Sequence, residues 1–186
     1  LYASLNELNR PDTKIITAED PVEYVFPGMN QCQVREDIGL GFDKILRSML
    51  RQAPNIILVG EIRDLVVGEI AIQAALTGHL VLTTVHTNDA LGAITRMRDM
   101  KVEPFLLAST LRAVVAQRLV RRLCPSCRET VQADGNAASL LGFDKGTAVY
   151  KAVGCPECNN TGFQGRIGVF EAVRVDDTIR GFLVER

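Results

Sequence analysis

Two groups of residues in this 186-residue chain are spaced for chemistry. The first is Cys124, Cys127, Cys155 and Cys158. They form two Cys-x-x-Cys pairs, each with a proline after its first cysteine, and 27 residues separate the pairs. Two such knuckles can set four thiolates tetrahedrally around Zn²⁺, each about 2.3 Å from the metal. The interval is longer than a compact zinc ribbon's, but the chain needs only to loop back. Two disulfides are the alternative, disfavoured in a chain of intracellular texture. A redox Cys-x-x-Cys would need only one pair. Four thiolates leave no open position, so the expected metal is structural. It would stabilise a segment with too few apolar residues to build its own core. Cys32 is left over as a small, partly buried side chain.

The second group lies just past three apolar runs: Glu19 and Asp20 after 14–17, Glu61 after 56–60, and His86 after 79–85. In an open parallel sheet, ligands bind beyond the carboxyl ends of the strands. Three such strands deliver two or three carboxylates and an imidazole to one edge. Glu61 follows its run with one glycine between, close to where such a sheet keeps a Walker-B acid. Plainer readings stand beside these. Asp20, before a proline, is equally a cap or a solvated turn. A lone histidine at a strand end is commonly structural.

The elements that must position these groups follow from periodicity. Residues 14–17 read as a short strand closed by Pro21. Residues 22–41 read as mostly loop, with a turn at Pro27-Gly28 and room for a hairpin around it. Residues 42–52 read as a helix, because Phe42, Ile45, Leu46, Met49 and Leu50 make one stripe. Residues 56–59 are apolar throughout and β-branched at three of four positions, which suits a strand buried on both faces. Asp64 can cap a helix to Leu76. A buried strand is expected at 79–85, and a helix capped by Asn88 or Asp89 runs to Met100. Pro104 opens a long helix expected to reach Arg122. Strands alternating with helices imply α/β architecture with a parallel sheet. A strand at 165–175 and a helix capped by Asp176-Asp177 complete the chain, whose last residue, Arg186, lies inside that helical pattern.

Composition narrows the classes. Apolar residues are 47% and charged residues 23%, an ordinary globular mix that excludes wholesale disorder. The net charge of −1 argues against a phosphate-neutralising nucleic-acid binder. Absent Trp and 5% aromatics argue against an immunoglobulin-type sandwich or a base-stacking platform. Arg118, Arg121 and Arg122 form a basic patch. It reads best as favourable charge near a helix C-terminus, with contact to a neighbouring subunit or anionic lipid as the sharper alternative.

Three segments carry a family resemblance: Ile-Thr-Ala-Glu-Asp-Pro-Val-Glu-Tyr (16–24), Leu-Arg-Gln-Ala-Pro-Asn-Ile-Ile-Leu-Val-Gly-Glu-Ile-Arg-Asp (50–64) and Thr-Gly-His-Leu-Val-Leu-Thr-Thr-Val-His-Thr-Asn-Asp-Ala (77–90). They resemble the Asp box, Walker B and His box of the secretion ATPase superfamily, in its type II secretion and type IV pilus assembly branch. The run 115–127 and the second Cys-x-x-Cys match the same branch. The resemblance implies a RecA-like P-loop ATPase core with a small four-cysteine zinc module. It implies that Glu61 positions the water that attacks the γ-phosphate, a step that needs mainly positioning and charge stabilisation. Glu19 would help hold Mg²⁺ or orient that water, and His86 would report the γ-phosphate. Gly60 stands where many P-loop ATPases carry a Mg²⁺-binding Asp, so the metal shell would lean on Glu19, Asp20 or water.

The chain departs from the pattern in two ways. The usual Arg-Gln-Asp-Pro-Asp is Arg51-Gln52-Ala53-Pro54-Asn55 here, which puts in doubt any salt bridge those acids make. No G-x-x-x-x-G-K-[ST] occurs. The family's loop precedes a helix like 1–8, so the expectation is a fragment cut just after that loop and inactive alone. The resemblance places the family's arginine fingers in an N-terminal domain. Expected boundaries are 1–123 for the ATPase core, 124–162 for the metal module and 163–186 for the start of a C-terminal subdomain. The implied whole is a homo-hexameric cytoplasmic motor, peripheral on the bacterial inner membrane. It would use Mg²⁺ with ATP and structural Zn²⁺, and work with inner-membrane platform and recruiting proteins but no nucleic acid. It would drive pseudopilus assembly for type II secretion, or type IV pilus extension. The competing class is a zinc-ribbon nucleic-acid-binding protein.

Overall fold

A computed structural model describes residues 1–184; Glu185 and Arg186, at the end of the 163–186 segment and of its helical pattern, lie outside the described residues. In chain order the elements are α1 (Tyr2–Leu8), β1 (Ile15–Glu19), β2 (Met29–Gln33), α2 (Phe42–Met49), β3 (Ile56–Val59), α3 (Leu65–Leu76), β4 (Leu80–Thr83), α4 (Ala90–Asp99), α5 (Pro104–Thr110), β5 (Ala113–Leu123), β6 (Glu129–Gln132), α6 (Gly135–Leu141), β7 (Ala148–Lys151), β8 (Phe163–Arg174) and α7 (Asp177–Val184). They form two compact units, one of residues 1–116 with 171–186 and one of residues 117–170.

The first unit holds a parallel sheet in the order β2-β1-β3-β4. Its two inner strands are buried on both faces: β3 is apolar throughout, and β1 buries Thr17 and Glu19 beside its apolar residues. Strand residues alternate faces. Ile16, Ala18, Ile57 and Val59 pack on one side with Phe42, Ile45, Leu46 and Met49 of α2 and Val67, Ile70, Ala71 and Ala74 of α3. Ile15, Ile56 and Leu58 pack on the other with Leu5 of α1. Each fully buried Leu or Ile contributes about 1.5–3 kcal/mol. A one-residue register slip would turn Ile57 and Val59 away from α2 and α3. Asp64 caps α3 by accepting from the Val67 N–H (2.9 Å), and Asp89 caps α4 by accepting from the Gly92 N–H (2.6 Å). Asp176 accepts from the Ile179 N–H (2.9 Å) at the start of α7.

Three expectations change. Residues 29–33 form no hairpin. They pair parallel to β1, because the 20–28 loop folds back over α1: Asn9 Nδ2 donates to the Pro27 carbonyl at 2.9 Å, and the Tyr2 ring packs on Tyr24 and Phe26. β4 is an edge strand of this sheet, half-buried rather than buried, with Leu80 43% exposed. The helix expected from Pro104 to Arg122 stops at Thr110, and 113–123 is a strand paired with β8. Val114, Val115 and Val120 favour the extended form, and the partner strand lies far away in sequence. The Val175 N–H donates to the Arg112 carbonyl and the Cys124 N–H to the Gly162 carbonyl, so the two strands run antiparallel. Arg118, Arg121 and Arg122 therefore lie on a strand and cannot serve a helix C-terminus. Arg121 stacks its guanidinium 3.9 Å from the Phe163 ring centroid.

The altered 51–55 segment has its own local logic. Asn55 Oδ1 accepts from the Lys14 N–H at 2.7 Å, tying the start of β1 without a carboxylate. Ala53 is exposed and sits at φ 48°, in the left-handed region. A Cβ there costs ~1–2 kcal/mol, less for Asp or Asn. Ala53→Gly removes that cost and adds some unfolded-state entropy. The expected net gain is about 0.5–1 kcal/mol, read as a raised urea midpoint. A lowered midpoint would contradict the strained conformation.

Candidate functional site

Past the sheet's carboxyl edge, the chain keeps its pairing for a few residues, and this sets the site. The Gly60 N–H donates to the Ala18 carbonyl at 2.7 Å, and the Ile62 N–H donates to the Thr84 carbonyl at 3.1 Å. Thr84 Oγ1 donates to the Gly60 carbonyl at 2.5 Å. A Cβ on Gly60 would lie 3.1 Å from the Ala18 carbonyl oxygen. The close approach of the two backbones thus explains a glycine where an acid might stand.

Glu61 then projects into a cleft of about 350 Å³ lined by Tyr2, Glu19, Asp20, Arg63 and His86 among others. Its Oε1 lies 3.1 Å from His86 Nε2, and its Oε2 accepts from Arg63 Nε at 2.6 Å. Arg63 also reaches Asp20 Oδ2 at 3.5 Å, and its guanidinium lies 5.8 Å from the Phe42 ring centroid. The hydrogen bond and charge of Glu61 hold the Arg63 pKa above its usual value, with Asp20 adding to the effect. Asp20 is thus an ion-pair partner, not a helix cap. Glu19 is buried at the end of β1, 4% exposed. It accepts from Thr17 Oγ1 (2.5 Å), Gln31 Nε2 (3.0 Å) and the Tyr2 hydroxyl. Burial first, and the Glu19 carboxylate second, raise the Tyr2 pKa. The four residues singled out by strand-end position therefore border one cleft. Glu61 and His86 touch, Asp20 joins them through Arg63, and Glu19 is held by its own donors. Such an edge offers carboxylates to a cation or a water, beside an imidazole and a guanidinium that favour negative charge.

Strand-end reasoning missed Arg63, Tyr2 and Gln31. Arg63 had a signal: it stands two residues from Glu61 in an extended segment, and such residues share a face. Tyr2 and Gln31 had none, because their contacts to Glu19 depend on α1 and β2 packing beside β1.

The second unit carries the cysteines. All four Sγ atoms of Cys124, Cys127, Cys155 and Cys158 lie within 4.8 Å of one another. Sulfur–sulfur separations are 3.9 Å for 124–155, 3.8 Å for 127–158 and 3.8 Å for 155–158. A regular tetrahedron with ~2.3 Å metal–sulfur bonds has edges of about 3.8 Å. The cysteines are free, and their spacing is that of ligands to one ion, not of disulfides. The Cys155 and Gly162 N–H groups each donate to Cys158 Sγ at 3.2 Å, and Gly154 N–H to Cys127 Sγ at 3.4 Å. Burial pushes the Cys127 thiol up to about 12. Burial opposes the Cys158 thiolate too, but the Cys155 and Gly162 N–H groups prevail and bring it down to about 6. A bound cation reverses the burial cost and favours thiolates throughout. Gly162 adopts φ 77°, and a Cβ there would lie 2.8 Å from the Ala152 Cβ, so the knuckle closes only on glycine. Cys32 packs, partly buried, against the core of the first unit.

The family model for the Type II/IV secretion system protein matches residues 1–186. The chain belongs to that family. Among relatives, it is 50% identical over 182 residues to the type II secretion system ATPase E of Vibrio cholerae, covering 97% of this chain and 36% of that one. It is 49% identical over 189 residues to the type IV pilus assembly ATPase PilB of Myxococcus xanthus, covering 99% and 33%. The chain thus spans about a third of the length of these relatives. Its fold is that of the pilus retraction motor PilT solved with bound ADP, at a TM-score of 0.70 and 29% identity over 99% of this chain and 45% of that one. Membership accounts for a parallel sheet flanked by helices. No helix among the described residues is long and apolar enough to cross a membrane.

Proposed function

We propose that these residues form the hydrolytic edge of an ATP-driven motor that assembles a pseudopilus for type II secretion. The observation that carries this is the Glu61–His86 contact at 3.1 Å, in one cleft with Glu19 and Asp20. Glu61 would aim the attacking water, and Glu19 and Asp20 would hold Mg²⁺ or its water shell. His86 meets the γ-phosphate. ATP would supply the γ-phosphoryl group and ADP as leaving group, and Mg²⁺ at these carboxylates would neutralise the developing charge. Type IV pilus extension is the second reading, favoured by the near-equal identity to PilB and to the type II secretion ATPase.

The motor is a homo-hexamer at the cytoplasmic face of the inner membrane, working on an inner-membrane platform with recruiting proteins. Residues 1–123 supply most of the ATPase core, and 171–184 pack with 1–116 as part of the same compact unit instead of beginning a separate subdomain. Residues 124–162 hold one structural Zn²⁺ on Cys124, Cys127, Cys155 and Cys158, where the sulfur spacing fits that ion. Phosphate binding in P-loop proteins comes mainly from backbone N–H groups and the lysine of the G-x-x-x-x-G-K-[ST] loop. A protein that joins such a loop to these residues hydrolyses Mg-ATP, whereas the 186 residues alone do not. The absence of turnover in the joined protein, folded and hexameric, would refute the motor.

A further inference from the structure

We propose that Gln31 and Tyr2 are positioning residues for the Glu19 carboxylate, and that they tie its orientation to the 20–28 loop. The inference rests on the motor reading, in which Glu19 serves the Mg²⁺ and the attacking water. A buried carboxylate must have donors, and Glu19 has three: Thr17, Gln31 and Tyr2. A carboxylate offers about four lone-pair sites, so three donors fix its plane and leave one site toward a water. The register explains how they meet. Gln31 lies opposite Thr17 in the β1–β2 ladder, and Thr17 and Glu19 share the face of β1 that packs on α1, where Tyr2 stands.

Gln31 does more than donate to Glu19. Its Nε2 also donates to the Tyr24 carbonyl at 2.9 Å, and its Oε1 accepts from the Phe26 N–H at 2.8 Å. Reversing the amide would set its oxygen against a carboxylate and a carbonyl, so the partners fix its direction. Tyr2 reaches the same loop: its hydroxyl accepts from the Glu23 N–H at 3.3 Å, and its ring meets those of Tyr24 and Phe26 at 5.8 and 5.2 Å. Each side chain thus bonds the loop backbone and the Glu19 carboxylate at once, through the single Tyr2 hydroxyl and through the Gln31 amide. A shift of the loop moves two of the three donors together.

The test uses Tyr2→Phe and Gln31→Met in a protein that joins these residues to a phosphate-binding loop. Each variant is expected to lower kcat roughly 10–100-fold. KM for ATP stays near its original value, and the Mg²⁺ concentration for half-maximal rate rises. A merely structural role would not split kcat from KM or change the Mg²⁺ requirement. In the 186-residue chain, Gln31→Met also speeds hydrogen exchange at the Phe26 amide, which loses its acceptor. If Gln31→Met unfolds, Tyr2→Phe decides, since it removes one oxygen and little else. Unchanged kcat and Mg²⁺ dependence, with Glu61→Gln still inactive, overturns this inference and leaves the motor standing. If the unaltered joined protein fails to hydrolyse ATP, the motor reading falls and takes this with it.

Discussion

Glu61→Gln, in a protein that joins these residues to a phosphate-binding loop, lowers Mg-ATP turnover by roughly 10²–10⁴ while nucleotide still binds. The amide keeps the size of the carboxylate and can still accept from Arg63, so the cleft keeps its shape. What it loses is charge and the capacity to orient or deprotonate a water. Glu61 lies between an imidazole at 3.1 Å and a guanidinium at 2.6 Å, on a backbone clamped to β1 through Gly60. Few other groups at this edge can replace it: Asp20 is reached through Arg63, and Glu19 is engaged by three donors. Nucleotide affinity and turnover, measured side by side, check this. Turnover near the original rate would remove Glu61 from the reaction.

Reduced, purified protein is expected to carry about one zinc per chain, and Cys124→Ser to lose most of it. Cys124 is fully buried, so a serine hydroxyl there is both a poorer ligand and a polar group without a matched partner. The damage should be local. Hydrogen exchange should quicken across 122–162 far more than in the β1–β3 core, which draws its stability from apolar packing. Metal analysis showing no zinc in the reduced protein would reject the four-thiolate site. Equal loosening of both regions would reject the view that the metal segment is a separately stabilised module.

Legibility in the sequence followed the range of the interactions. The parallel sheet showed through the unbroken apolar run 56–59, and the helix starts showed through Asp64, Asp89 and Asp176, because caps and buried strands are written locally. Glu19, Glu61 and His86 could be singled out because a parallel sheet brings its strand ends to one edge. Apart from Arg63, which stands two residues from Glu61, the failures were long-range. Residues 113–123 read as helix, since nothing nearby announces a partner strand some fifty residues later. The parallel pairing of 29–33 depends on a loop pinned to α1. The donors of Glu19 come from residues 2, 17 and 31, which meet only once the sheet has formed.

The cysteines also bear on how evolution can edit this chain. Cys124 follows directly on β5, and Cys155 and Cys158 shortly precede β8, with the Cys124 N–H bonded to the Gly162 carbonyl. A metal held there fastens the ribbon at its tip and shortens the excursion that ribbon pairing must otherwise close, a cost that grows only slowly with length. The stretch 129–151 folds on itself as an antiparallel pair with a helix between. It hangs from the fastening without forming part of it. Insertions or deletions between β6 and β7 should therefore be well tolerated, whereas a single residue added within either knuckle, or at 152–154 beside it, should not.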